Sequence, residues 1–588
     1  MKAEFKFSPR PNRAHEINWR PWDDMAFTDA VVEDKPVFLS IAGAWCRMCH
    51  LMDETSYSDP EIIAILNEKY IPVRVDGDRR PDVNQRYSRE GWPSTVILTP
   101  GGRTITGGTY VAPEQLKQVL EELIRVWREK REEFRKAEMK PPKEKEEPAP
   151  AVTLDVSPHE RTVKAVKRAY DSVYGGFGRE MKFPFPQALE LALHAVYTAS
   201  DEDCRKIASD TLTIMAGGGM YDSEEGGFFR CSANREWTAP RYEKILGENA
   251  ALLFVYLRAF QITGELRFTD VARDVLSYLE KYLLTADGAW AGSQDADFDY
   301  YGLPLAERRR RGAPPVDHTV FINQNGILVS ALALASWVLE EDQWQSKAIA
   351  TAAVIWRKAF REGRGMAHYF DADGPEVFGR LSDQAAFGRA CLSLYSGTGD
   401  RTWLERSATL AEFVLTKLRA PDGAFCDGPP DPGGVGSLSR PLKNIGENGL
   451  AARWLLELAA LSGDGRYKDA ALTALKSLAP VFEREGLAGA DFALATWEAI
   501  HPWTVITVAG KKGKKETALT VSLHHRALAV YVPAKTVRFF RAEDAAALAE
   551  AGLAAGKKAC AVVCKDGACL PPVSDPAELT GLLHPKIN

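Results

Sequence analysis

Apolar positions follow two different rhythms along this chain, and the change between them falls near residue 153. Before it, short continuous runs rich in Val and Ile alternate with amphipathic stretches. Residues 35–42 (KPVFLSIA), 70–76 (YIPVRVD) and 94–99 (STVILT) read as buried strands, because each is short, apolar and β-rich. Residues 103–108 fit a partner strand across the Pro100-Gly101-Gly102 turn. Helical spacing appears at 49–57, 61–69 and 113–133. Strand, helix, strand, antiparallel hairpin and last helix is an α/β order. Residues 140–150 (KPPKEKEEPAP) then offer Pro and charge with nothing to bury, which predicts a linker over 138–152.

From 153 to 503 the period is helical. Twelve segments are predicted, at 158–173, 186–199, 203–217, 247–263, 267–284, 323–339, 343–361, 381–396, 401–418, 445–462, 466–481 and 486–499. Their connections alternate long and short. Helices joined by short loops run antiparallel, so every long loop falls at the same end. Six helical hairpins with one elaborate mouth form an (α/α)6 toroid. The long loops also share a turn: Tyr174-Gly175-Gly176-Phe177, Gly218-Gly219-Met220-Tyr221, Asp287-Gly288-Ala289-Trp290 and Asp422-Gly423-Ala424-Phe425. A Gly-and-aromatic turn recurring after alternate helices marks a hairpin repeat. Beyond 503, expected strands at 504–509, 527–532 and 559–564 and a helix near 542–554 make a small α/β region over 504–588.

Composition narrows the function classes. The chain has 588 residues, 45% hydrophobic and 26% charged, which is ordinary for a globular protein with several cores. A net charge of −6 gives no electrostatic case for nucleic acid or an acidic membrane surface. No 18-residue apolar stretch stands out and residues 1–20 show no apolar signal core, so neither membrane nor export is expected and the cytoplasm is the default. The Arg308-Arg309-Arg310-Arg311 run, between Gly and Pro, reads as a solvated loop. Nine cysteines are too sparse, and odd in number, for a disulfide scaffold. Cys204, Cys231, Cys391 and Cys426 are scattered singly and read as small buried side chains. Cys564 and Cys569 flank a tight turn, and read as a hairpin-closing disulfide or a second dithiol.

Cys46-Arg47-Met48-Cys49 carries the clearest chemistry. It follows a buried strand and opens a helix, where free N–H groups stabilise a thiolate. Arg47 and His50 are expected to act in the same sense. Cys46 would attack and Cys49 would resolve the mixed disulfide. Pro93, after Gly91-Trp92 and before a strand, stands where a thioredoxin-like domain places a cis-proline loop beside its cysteines, with Trp92 on the substrate side. That assigns residues 1–137 to a thioredoxin-like domain. A zinc site (Cys46, Cys49, His50) falls one ligand short of four, and an inert buried pair is the remaining alternative. No cofactor and no metal is expected; the expected partner is a protein disulfide or dithiol.

The toroid mouth offers a second candidate. Asp222, Glu243, Asp295, Asp297, Asp383 and Glu447 fall in long loops or in the first turn of the next helix. Paired carboxylates are what glycoside hydrolysis needs; the same positions also serve as helix caps and loop braces. Trp237, Tyr242, Trp290, Phe298 and Tyr300 would supply aromatic walls for a carbohydrate-like small molecule. Only His318 and His368 fall in the long loops.

Several stretches together, among them GAWCRMCHLM, GWPSTVILTPGG, GGGMYDSEEGGFFR, PRYEKILGENA, QDAD and VVCKDGACLPPVSDP, are similar to those of the spermatogenesis-associated thioredoxin-like family. The resemblance spans nearly the whole chain. It implies a thioredoxin-like domain joined to an (α/α)6 domain similar to N-acylglucosamine 2-epimerase and six-hairpin glycosidases, and it implies architecture more than any one reaction. The chain departs from the family pattern in three places: Arg47 and Met48 replace His and Trp between the cysteines, Arg241 replaces a His before Glu243 and Lys244, and Cys231 replaces a Tyr. If that His is a base in relatives, this chain lacks it. The functional expectations are a thiol-disulfide oxidoreductase or redox sensor, a sugar-binding or sugar-transforming enzyme with a structural thioredoxin domain, or a non-catalytic scaffold.

Overall fold

The computed structural model describes residues 5–89, 91–134, 153–431, 433–482, 485–511, 513–542, 544, 558–565 and 567–583. The expected linker at 138–152 and most of the helix expected near 542–554 lie outside them. By contacts the chain divides into two units: residues 1–148 with 295–297 and 429–442, and all the rest.

The first unit is built on a four-stranded sheet. Its strands are β1 (Val37–Ala42), β2 (Ile71–Asp76), β3 (Ser94–Leu98) and β4 (Thr104–Gly108), in the order β2-β1-β3-β4. β1 pairs parallel with β2 and antiparallel with β3. Every β1 residue is buried, which is why it reads as a continuous apolar run rather than an alternating one. Alternate residues still serve opposite faces. Val37, Leu39 and Ile41 pack with Phe27, Val83 and Tyr87 under α1 (Asp24–Glu33) and α4 (Pro81–Tyr87). Phe38 packs with Met52, Tyr57, Leu66 and Leu120 from the side of α2 (Arg47–Glu54), α3 (Pro60–Lys69) and α5 (Pro113–Glu129). Helices α1 and α4 are additions to the sequence reading; Asp23 caps the former by accepting from Ala26 N, and Pro81 opens the latter. Residues 429–442 belong here through Tyr87, whose hydroxyl accepts from Ser437 N and donates to Gly102 O, both at 2.8 Å. Val435 and Leu438 pack against the same apolar cluster.

The second unit contains all twelve expected helices. In hairpin order they are α6 (Ser157–Ala169) and α7 (Pro186–Ala199); α8 (Glu202–Gly217) and α9 (Leu246–Thr263); α10 (Arg267–Tyr278), then a short α11 (Leu305–Arg311) and α12 (Ile322–Leu339). α13 (Asp342–Ala359) and α14 (Leu381–Thr398), α15 (Arg401–Phe413) and α16 (Ile445–Ser462), and α17 (Gly465–Leu478) and α18 (Ala490–Ile500) complete the set. Helices α7, α9, α12, α14, α16 and α18 pack each on the next, and α18 packs back on α7, which closes an inner ring. The other six helices cover it, and all long loops precede inner helices. One large apolar cluster runs through the whole assembly. Helix α12 is 18 residues long with mean hydropathy 1.4, long and apolar enough to cross a membrane by those measures, against the sequence expectation; it is 67% buried as part of the inner wall.

Two expectations are corrected here. Residues 527–532 are not a strand: α19 (Lys514–Ala529) occupies most of them, and the strand comes later. The C-terminal sheet has β5 (Thr504–Ala509), β6 (Lys535–Phe540), β7 (Cys560–Lys565) and β8 (Ala568–Cys569) in the order β6-β5-β7-β8. This region packs with the toroid in one unit: His524 bonds Ser396 O at 2.8 Å and Arg538 donates to Ala460 O at 2.7 Å, both at the short-loop end. The arginine run is not a solvated loop either. It forms the end of α11, with Arg308 buried.

Candidate functional sites

Strand β1 delivers Gly43-Ala44-Trp45 to the start of α2, and Cys46 is the N-cap. Its sulfur accepts from Cys49 N at 3.2 Å, and the two sulfurs are bonded to each other. The Trp92–Pro93 peptide is cis, as the sequence leads one to expect. The ring of Trp92 lies 4.8 Å from that of Trp45, and each indole is held in place: Trp92 donates to Asn84 at 2.9 Å and Trp45 to Asp78 at 2.6 Å. Beneath α2 a buried pair, Asp53 and Arg74 at 2.8 Å, ties the helix to β2. Arg47 and His50 do less for the thiolate than their positions suggest. Arg47 is paired with Glu54 at 2.8 Å. Burial keeps the His50 imidazole neutral by lowering its pKa, and the ring bonds Ala44 O at 3.0 Å.

Among the mouth carboxylates, Asp222 acts as a brace. Asp222 is buried between Lys244 Nζ at 2.7 Å and Arg308 at 2.8 Å. Lys244 also donates to Gly226 O, and burial lowers its pKa to about 8 against the pull of Asp222. One hairpin earlier the same device recurs: Asp171 holds Lys182 at 2.9 Å and Arg235 at 2.6 Å, and Lys182 donates to Gly175 O. The repeated Gly turn has a steric reason. Gly176 and Gly227 both have positive φ (70° and 79°), and a Cβ there would lie 2.3 Å from Trp237 and 2.6 Å from Tyr278.

A second repeat sits in the first turn of the inner helices. Asn249, Asn325 and Asn448 each accept from one loop N–H and donate to its carbonyl, at Phe228, Trp290 and Phe425 respectively. Gln384 does the same for Met366. These four amides pin four mouth loops, and the sequence reading missed them although Glu-Asn recurs at 248–249 and 447–448. Asp383 is buried and accepts from Asn323 N and from His368 Nδ1, all at 3.0 Å. Glu243 is buried with Arg230 at 3.9 Å. Asp295 and Asp297 group with the first unit. Glu447 takes its place in the first turn of α16. Trp237 and Trp290 are fully buried and spend their N–H groups on Tyr174 O and Thr351, so they are core rather than ligand walls. Tyr242 stacks on Tyr301 at 5.4 Å and meets Phe298 edge-on, and Tyr300 donates to Glu225 at 2.8 Å.

The polar cavity of the toroid lies on its axis. A space of about 210 Å³ is walled by all six inner helices and, at the base, by residues 528–537 of the C-terminal region. Arg453 spans it with three carboxylates: Glu190 at 2.7 Å, Asp491 at 3.0 Å and Glu498 at 3.1 Å. Burial raises the Glu190 pKa, but Arg453 overcomes it and leaves it at about 2. Burial pushes Glu457, 3.8 Å from Arg389, up to about 7. None of these residues was singled out in the sequence, since each is flanked by apolar residues on its helix.

The single cysteines Cys204, Cys231, Cys391 and Cys426 are buried, and burial pushes Cys204 up to about 12 and Cys231 up to about 11. Cys564 and Cys569 are cross-strand partners joined by a disulfide. Among the described residues no cluster of three or more metal-ligating side chains occurs.

Residues 10–143 match the family Thioredox_DsbH, described as a protein of unknown function, DUF255. Human spermatogenesis-associated protein 20 is 26% identical over 97% of this chain and 90% of its own length, and its rat counterpart is 25% identical over 97% and 89%. The uncharacterized protein B0495.5 of Caenorhabditis elegans is 31% identical over 48% of this chain and 41% of its own. Among solved structures, a D-mannose isomerase aligns with 58% of this chain and 96% of its own at 12% identity and TM-score 0.48. A sugar epimerase from a ruminal bacterium aligns with 55% and 86% at 13% identity and TM-score 0.46. The chain is thus a relative of spermatogenesis-associated protein 20 over nearly its whole length, with a Thioredox_DsbH-type domain ahead of an (α/α)6 toroid.

Proposed function

We propose that the first unit carries out thiol–disulfide exchange with protein substrates, in the cytoplasm. The observation that carries this is the Cys46–Cys49 disulfide at the start of α2, with cis-Pro93 in the same unit. From the oxidised form, a substrate thiolate attacks Cys46 Sγ and the Cys49 sulfur leaves as a thiolate. A second substrate thiolate then attacks its own half of the mixed disulfide. Cys46 leaves as a thiolate at the helix N-terminus, and the two electrons of the new substrate disulfide now sit on the protein dithiol. The reverse sequence reduces a substrate disulfide. Turnover of a dithiol–disulfide reporter should fall at least 100-fold in Cys46→Ser and persist in Cys564→Ser. Equal turnover in Cys46→Ser and the parent would remove the proposal.

A second reading concerns the toroid, as a binder of a small carbohydrate-like molecule. Its support is the axial cavity, lined by charged groups together with Trp337 and Trp503. This moves the carbohydrate reading away from the mouth, where Asp222 and Asp383 are held by ion pairs and loop groups. Stabilisation of the protein by a sugar, lost on filling the cavity with Ser393→Phe, is the check; silence across neutral and acidic sugars would end it.

A further inference from the structure

Buried polar groups in folded proteins find partners, so the atoms that lack one inside a cavity describe what belongs there. On the axial wall the lacking donors and acceptors are of two kinds. Arg389 makes no side-chain hydrogen bond among the described residues, and its nearest carboxylate is Glu457 at 3.8 Å. Arg258 spends one N–H on Gln261 at 2.7 Å and presents its plane to Phe254 and Tyr531, with centroids at 4.9 and 5.1 Å. Both guanidiniums therefore keep donors in reserve, in the fork geometry that suits a carboxylate. The unused acceptors are elsewhere on the same wall. Glu498 Oε2 is buried without a partner, its other oxygen being held by Arg453. His194 is 3% exposed; its Nδ1 bonds His159 at 3.0 Å while Nε2 is buried and unpaired. Ser396 Oγ and Thr536 Oγ1 are likewise buried and unpaired, and all four residues belong to the cavity wall.

Resting on the second reading above, we infer that the axial cavity binds a hydroxylated carboxylate of monosaccharide size, its acid group on Arg389 and Arg258 and its hydroxyls on Glu498, His194 and the base of the cavity. A neutral sugar would leave the Arg389 fork unfilled. A bare anion would leave Glu498 and His194 without a donor. The volume agrees: about 210 Å³ gives room for a single sugar ring. Phe254, Tyr531, Trp337 and Trp503 also line the cavity and supply apolar wall.

Calorimetric titration and thermal shift of the full-length protein with D-glucuronate, D-galacturonate, D-glucose and inorganic phosphate test this. At least one uronate should bind at least tenfold more tightly than glucose and than phosphate. Arg389→Gln should weaken that uronate at least tenfold and leave glucose unchanged. Glu498→Gln should weaken both sugars and leave phosphate unchanged. Glucose binding as tightly as both uronates, or a uronate affinity untouched by Arg389→Gln, overturns the acid assignment and leaves the carbohydrate reading standing. Phosphate binding as tightly as the uronates shows a plain anion site and overturns it too. Binding by none of the four overturns both. Because Arg389 makes no hydrogen bond to lose, an unchanged unfolding midpoint in Arg389→Gln confirms that the variant is folded.

Discussion

The mouth of the toroid and its axis are both rich in charge, and they use it in opposite ways. At the mouth, Asp171 and Asp222 are each matched by a lysine and an arginine, and the lysines turn their remaining N–H groups to loop carbonyls. On the axis, Arg453 is fully matched, but Arg389, Glu498 and His194 are not. The comparison teaches that charge density does not locate a site. Unmet hydrogen-bonding capacity around a space is the better guide, because that capacity is costly in a protein interior unless a ligand or water meets it.

The strongest test of this contrast is at the mouth. Lys244→Met leaves Asp222 and Arg308 buried around a missing charge, and should lower unfolding free energy by about 3–5 kcal/mol, as breaking a buried pair does. Chemical denaturation followed by tryptophan fluorescence reads it, and a loss under 1 kcal/mol would mean that the mouth pairs are as dispensable as surface ones. Smaller, at about 1–3 kcal/mol, is the cost of Asn448→Ala, which strands the Phe425 N–H and C=O; hydrogen exchange at 420–428 should rise while that of the first unit stays constant.

At the base of the toroid, His524 is buried against Phe539 and its pKa is lowered to about 4, chiefly by burial. The folded state holds it neutral while the unfolded chain takes up a proton near its ordinary value. Its contribution is therefore intact above pH 6.5 and is lost as pH falls from 6.5 toward 4. By pH 5 the loss is about 2 kcal/mol. His524→Gln should show a smaller drop in denaturant midpoint between pH 7 and pH 5 than the parent, and an equal drop would show that this ring does not titrate as described. The smallest effect belongs to the axis: Arg389→Gln breaks no hydrogen bond and only the loose 3.8 Å pair with Glu457, and should cost about 1 kcal/mol or less. A large loss there would erase the difference between the two regions.

Much of this was legible in the residues. The twelve helices lie within a few residues of their expected places, because the 3.6 period persists wherever one helix face is buried. The strand–CxxC–helix order and the turn at Cys564–Cys569 were readable from local spacing alone. The arginine run was misread because three of its four members do face water, and nothing local marks Arg308 as the partner of an aspartate 86 positions away. Residues 527–532 misled because the apolar end of α19 and the approach to β6 have no periodicity of their own. Trp237 and Trp290 stood in loops and looked available, yet loops that fold back on a repeat carry core residues of their own.

The sequence by itself determined the two architectures, the chain order of their elements and the position of the dithiol, since each follows from neighbours within one or two turns or strands. Only the tertiary structure decided which charges are spent. Whether Asp222 is an acid or a brace, and whether Arg389 is a brace or a binding group, depends on partners brought together by closing six hairpins into a ring. That closure sets burial and distance, and electrostatic energy depends on both far more than on the identity of the charged residue.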